Sequence, residues 1–189
     1  MQQLMMYWDN QKLKSVQPPE GFSIRTYREG DAQGWIDSCA DGLDTGSWTH
    51  DDFHKKMLEY EGIRPEGIFL ITDAKGRLAG TATGILKGTP GLGYVHMVSI
   101  HPDFRGLGLA KPLNAAVMKY LSERGRTKIY LDTDDFRIPA IKTYLWLSFL
   151  PVLHTEDMEQ RWLKIMEQLG LLQLPTYSHE WELFKVLSR

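Results

Sequence analysis

The sequence has little of several features that would each define a class of protein. It contains one cysteine, Cys39, among 189 residues, so no disulfide can form within the chain. Its 22 basic residues are slightly outnumbered by 24 acidic ones, and no basic stripe of the kind that binds nucleic acid stands out. No apolar run approaches the roughly 20 residues that a membrane helix needs. These absences argue against a disulfide-stabilised protein, a nucleic-acid partner and a membrane partner.

The N-terminal residues also lack the pattern of a secretory signal. Met1–Lys12 mix Met, Gln, Asp and Lys, without a basic start and an apolar centre. Together with the single cysteine, this predicts a reduced, cytoplasmic protein. The 42% of hydrophobic residues and the chain length fit one domain with a sizeable core.

Hydrophobic periodicity and turn residues predict the order β-α-α-β-β-β-α-β-α-β, followed by a less regular tail. Three successive strands make a purely doubly wound sheet unsuitable, and a mixed sheet with helices on both faces fits better. We expect a lead-in at residues 1–21, one domain at 22–153, and a C-terminal helix and tail at 154–189 packed on that domain. The predicted elements are strands at 22–27, 67–72, 78–86, 94–100, 128–132 and 149–153, helices at 31–43, from 49 onward, 105–123, 137–147 and 155–169, and a last strand or loose end at 181–187.

The strand predicted at Tyr94–Ile100 leads through a glycine-containing loop directly into a helix. The loop and the first helical residues are Arg105-Gly106-Leu107-Gly108-Leu109-Ala110-Lys111. Glycines permit a tight turn and a close approach of a ligand, and the first amides of a helix have no internal partners. Those amides lie at the positive end of the helix dipole, and Lys111 adds a positive charge. The segment therefore predicts a phosphate or pyrophosphate site.

Two familiar phosphate motifs do not fit this segment. A P-loop requires Gly-Lys followed by Ser or Thr, and Gly108 is not followed in that way. A dinucleotide fingerprint requires a third glycine, and Lys111 stands at that position.

The segment instead resembles the coenzyme-A-binding motif of the GNAT acetyltransferase superfamily, Arg/Gln-x-x-Gly-x-Gly/Ala. The preceding Val98–Pro102 resembles the strand of that family, and Pro139–Phe149 resembles its A-x-x-x-Tyr-x-x-x-Gly-Phe segment. The order of elements agrees over Phe22–Leu153. Residues Thr133–Arg137 further resemble acetyltransferase domains related to mycothiol synthase.

This resemblance implies both a fold and a reaction. The fold is α/β (α+β), with a GNAT-like mixed, mostly antiparallel central sheet and helices on both faces. The reaction is transfer of an acetyl (acyl) group from acetyl-CoA to a primary amine of a small molecule or peptide by direct attack. Free coenzyme A is the second product, and no metal is implied.

The resemblance also implies site residues. The backbone N–H near Val98 would stabilise the developing oxyanion. Tyr144 matches the tyrosine that protonates the departing sulfur. The cofactor contacts would come from the exposed strand edge and from the loop with the start of its helix, namely Val98, Ser99, Ile100, Arg105, Gly106, Leu107, Gly108, Leu109, Ala110 and Lys111.

The reaction also needs a general base that accepts the proton of the attacking amine. His96 lies two residues before Val98 and is predicted to share a strand face with Val98 and Tyr94. The ordinary histidine pKa near 6.5 suits a base. A structural histidine at His96 and a core tyrosine at Tyr144 stay open as alternatives.

Other chemistry-bearing residues allow two interpretations each. Asp132–Asp135 is a solvated turn or attracts a cationic substrate. The aromatic and histidine residues of the two early helices line an acceptor pocket or belong to the core, and these are Trp35, Trp48, His50 and Phe53. Cys39 is expected to be buried packing.

The sequence departs from the family pattern at two positions. Arg137 stands where the family often has an asparagine that contacts the cofactor. Ser148 replaces a glycine, so a left-handed turn there would be strained.

Two further hypotheses belong to other functional classes. The chain could bind acyl-CoA as a sensor or regulatory module without catalysis. It could also be an interaction protein in which the Trp-bearing tail Thr155–Arg189 docks to a partner. The acceptor and the assembly state, including a homodimer, stay open.

Overall fold

The computed structural model describes residues 2–43 and 45–189. The chain divides into two compact units. The central unit is Lys12–Thr127, and the terminal unit combines Met1–Gln11 with Lys128–Arg189. The elements in chain order are β1 (Leu4–Asp9), β2 (Phe22–Thr26), α1 (Ala32–Leu43), α2 (His50–Phe53) continued by a π-helical turn (His54–Leu58), β3 (Ile68–Asp73), β4 (Leu78–Leu86), β5 (Leu92–Ile100), α3 (Ala110–Glu123), β6 (Lys128–Thr133), α4 (Ile138–Trp146), β7 (Leu150–Leu153), α5 (Met158–Leu169), β8 (Gln173–Ser178) and β9 (Leu183–Ser188).

The central unit is an antiparallel sheet with helices on both faces. Its strand order is β2-β3-β4-β5. Side chains alternate along β3, as a strand requires. Ile68 and Leu70 join the buried cluster that contains Trp35 of α1, whereas the ring of Phe69 lies 5.8 Å from the ring of Tyr120 of α3. Helices α1 and α3 therefore cover opposite faces of this sheet.

The terminal unit is a mixed sheet in the order β6-β1-β7-β8-β9. Strand β1 runs antiparallel to β6 and β7, and β8 runs antiparallel to β9. Strands β7 and β8 are parallel, so they need the crossover that α5 supplies. The predicted mixed, mostly antiparallel α/β class is confirmed by the two units.

Strand β1 was not predicted, because its sequence carries no alternation. Leu4, Met6, Tyr7 and Trp8 are all buried, so Leu-Met-Met-Tyr-Trp-Asp lacks a polar face. The strand pairs with β6 residues more than a hundred positions away, beginning at Leu4 opposite Thr133. A strand with that environment is defined by partners that local periodicity does not show.

The tail is more regular than expected. Helix α5 forms as predicted and buries one face, since Met158, Trp162, Ile165 and Met166 recur at helical spacing. Two strands follow it. Strand β8 was not predicted and contains Pro175, and β9 begins at Leu183, after a turn in which Trp181 has a φ of 63°.

Candidate functional site

The loop before α3 has the backbone that its glycines permit. Gly106 and Gly108 have φ values of 80° and 76°, in the left-handed region. A Cβ built on either residue would meet nothing within 4 Å. The glycines are therefore required by backbone conformation, and the space beside them is open to a ligand.

The N-terminus of α3 is built to receive negative charge. Its N-cap residue, Leu109, makes no side-chain capping bond, and the first turn holds no acidic residue. Before this stretch, Arg105 N donates to Pro102 O at 3.2 Å, and after it Leu113 N donates to Leu109 O at 3.3 Å. The main-chain donors between them, with the helix dipole and Lys111, suit a phosphate group.

Arg105 holds the start of this loop to α1. Its Nη2 lies 2.6 Å from Asp41 Oδ2 and donates to Asp41 O at 3.0 Å. Its Nε donates to Ile100 O at 3.3 Å. The guanidinium is thus bound by Asp41 and Ile100. The predicted contact between Arg105 and the cofactor would therefore come from the main chain of Arg105.

Strand β5 contains a bulge at the predicted oxyanion position. Thr83 pairs with His96 and Thr81 pairs with Ser99, so Met97 and Val98 together lie opposite Ala82. Met97 has a φ of 49°, which a methionine rarely adopts. A bulge of this kind redirects main-chain groups away from the regular ladder.

The bulge also corrects one prediction about faces. Ser99 Oγ donates to Ser38 O of α1 at 2.7 Å, so Ser99 lies on the α1 side. Tyr94 lies on that side too, against the Trp35 cluster, and His96 contacts Tyr94. The extra residue shifts the alternation, so the prediction that His96 and Val98 share a face is wrong. Of the predicted edge, Ser99 is buried and hydrogen-bonded, while Val98 and Ile100 are half-buried.

His96 lies in an aromatic environment. Its ring centroid is 6.2 Å from that of Tyr60 and 5.5 Å from that of Tyr94. Burial, with a smaller contribution from the positive charge of Lys87, lowers the pKa of His96 to about 4. The imidazole is therefore neutral at pH 7 and free to accept a proton, although it is a weaker base than an ordinary histidine.

Tyr144 lies on α4 and is buried, with its ring edge-on to Phe149 at 6.1 Å between centroids. Burial raises the pKa of its phenol to about 12, against a smaller opposing effect of Arg137. The hydroxyl stays protonated at neutral pH, which is the state that a proton donor needs. The following turn is strained as expected, because Ser148 has a φ of 71°.

The acidic run before α4 is neither a bare solvated turn nor a free acidic patch. Asp135 accepts two hydrogen bonds from Arg161, at 3.0 Å from Nε and 2.5 Å from Nη2. Asp134 pairs with Arg137 at 2.8 Å and accepts a bond from Gln3. Sequence reasoning missed Arg161, although a charged residue one position before Trp162 in the apolar stripe of α5 was the available signal.

The early aromatic residues are largely core. Trp35 and Phe53 are buried, and Trp48 stacks on Trp35 at 5.7 Å. His50 contacts Gln33 at 3.0 Å on the surface. Cys39 is buried as expected, and burial raises the pKa of its thiol to about 12, so it is unsuited to nucleophilic attack.

The described part of the chain shows neither a cluster of metal-binding side chains nor a membrane-spanning helix. Residues 2–43 and 45–189 contain no group of three or more His, Cys, Asp or Glu side chains placed to hold a metal ion. In those same ranges, no helix has the length and apolar character needed to cross a bilayer.

A mostly antiparallel sheet, a bulged strand and a glycine loop that opens onto α3 together define an acetyltransferase-type fold. A GCN5-related N-acetyltransferase from Sphaerobacter thermophilus shares this fold, with a TM-score of 0.66 at 21% identity over 80% of this chain and 49% of that one. The model of the Acetyltransferase (GNAT) family matches residues 17–149. The chain belongs to the GNAT acetyltransferase family.

The match to curated relatives covers less than half of each relative's length. A mycothiol acetyltransferase of Acidothermus cellulolyticus is 32% identical over an alignment of 156 residues, and the match covers 72% of this chain and 47% of that protein. The mycothiol acetyltransferase of Pseudarthrobacter chlorophenolicus is 34% identical over an alignment of 140 residues, and the match covers 69% of this chain and 43% of that protein. The chain thus spans about half the length of the curated relatives it matches.

Proposed function

We propose that this protein is an N-acetyltransferase that moves an acetyl or acyl group from acetyl-CoA to a primary amine of a small molecule or peptide. The observation that carries the proposal is the uncapped, acid-free N-terminus of α3 behind Gly106 and Gly108. Membership of the GNAT family supports the same donor. We also propose residues 22–153 as the acetyltransferase domain, with 1–21 and 154–189 as its flanking segments.

The donor would be held by main-chain groups. The amides from Gly106 to Lys111 suit the pyrophosphate of coenzyme A. The edge of β5 at Val98–Ile100 suits the amide groups of the pantetheine arm, which pair as a strand does. The bulge at Met97–Val98 supports the Val98 N–H as the group that stabilises negative charge on the thioester oxygen.

The proton transfers would use two side chains. Acetyl-CoA supplies an activated thioester, whose carbon forms the new bond to nitrogen while the bond to sulfur breaks. His96, neutral at pH 7, accepts the proton that the attacking amine loses. Tyr144, protonated at pH 7, donates a proton to the departing sulfur. Buried Cys39 takes no part in this direct route.

The first experiment separates catalysis from binding alone. Titration calorimetry measures acetyl-CoA affinity, and release of the coenzyme A thiol is followed over a panel of amines that includes amino sugars, a mycothiol-type acceptor, peptides and polyamines. We expect tight binding and release with at least one amine. Binding without release by any amine would support the acyl-CoA sensor instead.

A matched pair of glycine variants tests the donor site itself. Gly106 and Gly76 have φ values of 80° and 81°, and a Cβ on either meets nothing within 4 Å. Gly106→Ala and Gly76→Ala should therefore each cost about 1 kcal/mol of stability from backbone strain. Only Gly106→Ala should weaken acetyl-CoA, by about tenfold or more. Equal affinities in the two variants would count against a site at this loop.

A further inference from the structure

Strand β4 carries two fully buried threonines, Thr81 and Thr83. They lie opposite Leu70 and Ile68 of β3, which belong to the buried cluster against α1, so both threonine side chains are on the α1 face of the sheet. Thr81 Oγ1 donates to Phe69 O at 3.0 Å. Within residues 2–43 and 45–189, Thr83 Oγ1 has no hydrogen-bond partner. A buried hydroxyl usually has a partner, so Thr83 differs from Thr81 in a way that needs a physical reason.

The residue directly opposite Thr83 on β5 is His96. Near the end of the same ladder, Lys87 N donates to Leu92 O at 3.2 Å, and every second pair of an antiparallel ladder repeats that arrangement. Thr83 and His96 therefore exchange main-chain hydrogen bonds, with their Cα atoms about 5.5 Å apart. Side chains of directly opposite residues share a face, so the Thr83 hydroxyl and the His96 imidazole are neighbours.

The described contacts of the His96 ring do not determine which of its nitrogens carries the proton. The rings of Tyr60 and Tyr94 lie at 6.2 and 5.5 Å, inclined by 24° and 34° to the imidazole. Such contacts restrain the tilt of a ring, but they involve its face and edge. Lys87, whose charge acts on His96, is a cation and cannot accept a hydrogen bond from the ring.

A general base needs a defined tautomer. A neutral imidazole has one N–H donor and one nitrogen acceptor, and the hydrogen bond made by the first decides which nitrogen is left as the second. His96 thus requires an acceptor for its N–H. Thr83 Oγ1 is the adjacent hydroxyl, and because it makes no direct bond, a link between the two groups needs one water molecule.

We propose that the Thr83 hydroxyl positions the His96 imidazole through one bridging water, which accepts the ring N–H and donates to Thr83 Oγ1. The water satisfies two polar groups, as buried waters do, and half-buried His96 gives it a path from the surface. The other ring nitrogen is then left unprotonated to accept the proton of the amine. Thr83 is a positioning residue, since it acts through His96. This inference rests on the proposed function for the role of His96.

The direct test measures the tautomer of His96 and needs no catalysis. Nitrogen-15 NMR of ring-labelled histidine distinguishes protonated from unprotonated ring nitrogens, and His96→Phe identifies the His96 signals among those of six histidines. At pH 7 the ring is neutral. We expect one tautomer in the wild type and in Thr83→Ser, which keeps the hydroxyl, and a mixture of both tautomers in Thr83→Val.

A matched control comes from the same face of the same strand. Thr81→Val also removes a buried hydroxyl, one that is bound to Phe69 O, and it should leave the His96 tautomer unchanged. If Thr81→Val alters the tautomer as much as Thr83→Val does, the effect comes from repacking of β4 and the proposal is overturned.

Kinetics with an amine that releases coenzyme A give a second measurement. Thr83→Val should lower kcat about threefold or more, because part of the enzyme holds the tautomer that cannot accept the proton. The KM for the amine should change less than about twofold, since Thr83 is buried and does not bind the substrate. Thr83→Ser should recover most of kcat, and Thr81→Val should leave kcat nearly unchanged.

The contrary result is a Thr83→Val protein whose His96 keeps the wild-type tautomer. A higher urea midpoint than the wild type would accompany it, because valine removes a hydroxyl that truly lacks a partner. Should Thr83→Val fail to fold, Thr83→Ala compared with Thr83→Ser gives the same contrast with smaller side chains. If no amine releases coenzyme A, the proposed function fails separately, and the NMR comparison still decides whether Thr83 positions His96.

Discussion

Two strand–loop–helix segments of this protein differ in how their polar groups are used at the start of the helix. Between β5 and α3, Gly106 and Gly108 take left-handed conformations and the helix start carries neither a capping side chain nor an acid. Between β6 and α4, two aspartates are bound by arginines, Asp134 by Arg137 and Asp135 by Arg161. The first segment presents main-chain donors that suit a ligand. In the second segment, the polar side chains bind other residues of the protein.

The difference indicates that the first segment is suited to ligand binding and the second to positioning α4. The α3 start suits a ligand with negative charge because its N-cap residue, Leu109, makes no side-chain capping bond and its first turn holds no acidic residue. The α4 start is fixed by ion pairs that reach α5, and α4 carries Tyr144, whose proposed proton transfer would require accurate placement. Changes in the second segment should therefore alter chemistry and stability while leaving donor affinity nearly unchanged.

The largest expected effect comes from removing the Tyr144 hydroxyl. Tyr144→Phe should lower kcat about 100-fold if the phenol protonates the departing sulfur, with acetyl-CoA affinity almost unchanged. Tyr120→Phe is the matched control, because Tyr120 is also buried and its hydroxyl has no hydrogen-bond partner among the described residues. Steady-state kinetics and calorimetry measure the two quantities. Equal kcat values for both variants would indicate that Tyr144 is a core residue with no part in proton transfer.

The next effect comes from breaking the ion pair between Arg161 and Asp135. The Arg161 side chain is 10% exposed and its partner Asp135 is 39% exposed, so Arg161→Met should cost about 2 kcal/mol, less than a fully buried pair. Lys185→Met breaks the more exposed pair between Lys185 of β9 and Glu159 of α5, and should cost about 0.5 kcal/mol. Urea unfolding measures both costs. Equal losses would show that burial does not distinguish the pairs.

His96 should make stability depend on pH. Its pKa is about 4 in the folded protein and near 6.5 when unfolded, so the unfolded chain binds more protons between these values. Stability should be constant above pH 7 and fall by about 1 to 2 kcal/mol between pH 7 and pH 5. His96→Phe should remove most of this slope in urea titrations at several pH values. An unchanged slope would mean that another group titrates there.

The smallest expected effect is a gain at the end of α4. Ser148 has a φ of 71°, which glycine adopts without strain, so Ser148→Gly should stabilise the protein by about 0.5 kcal/mol after the entropy cost of glycine. Ser122→Gly lies within helical α3 and should instead destabilise by a similar amount. Thermal unfolding under identical conditions gives the sign of each change. A loss at Ser148 would contradict the strain argument.

Sequence reasoning located most of the central unit, because its signals are local. The alternation of Phe22–Thr26, the turn at Asp73–Gly76 and the glycines of the loop each act over a few residues. It failed where the environment comes from distant residues. Strand β1 pairs along both edges with strands from the other end of the chain, and the bulge at Met97–Val98 is visible only through pairing with β4.

The sequence by itself determined the family, the loop that suits a phosphorylated donor and the positions of Tyr144 and His96, because glycine spacing and residue type are local properties. Only the tertiary structure decided that Ser99 and not Val98 lies on the α1 face, that Arg161 binds the acidic loop, and that Tyr60 lies beside His96. Each of these joins residues far apart in the chain. Their contact depends on strand register and packing, which local patterns do not encode.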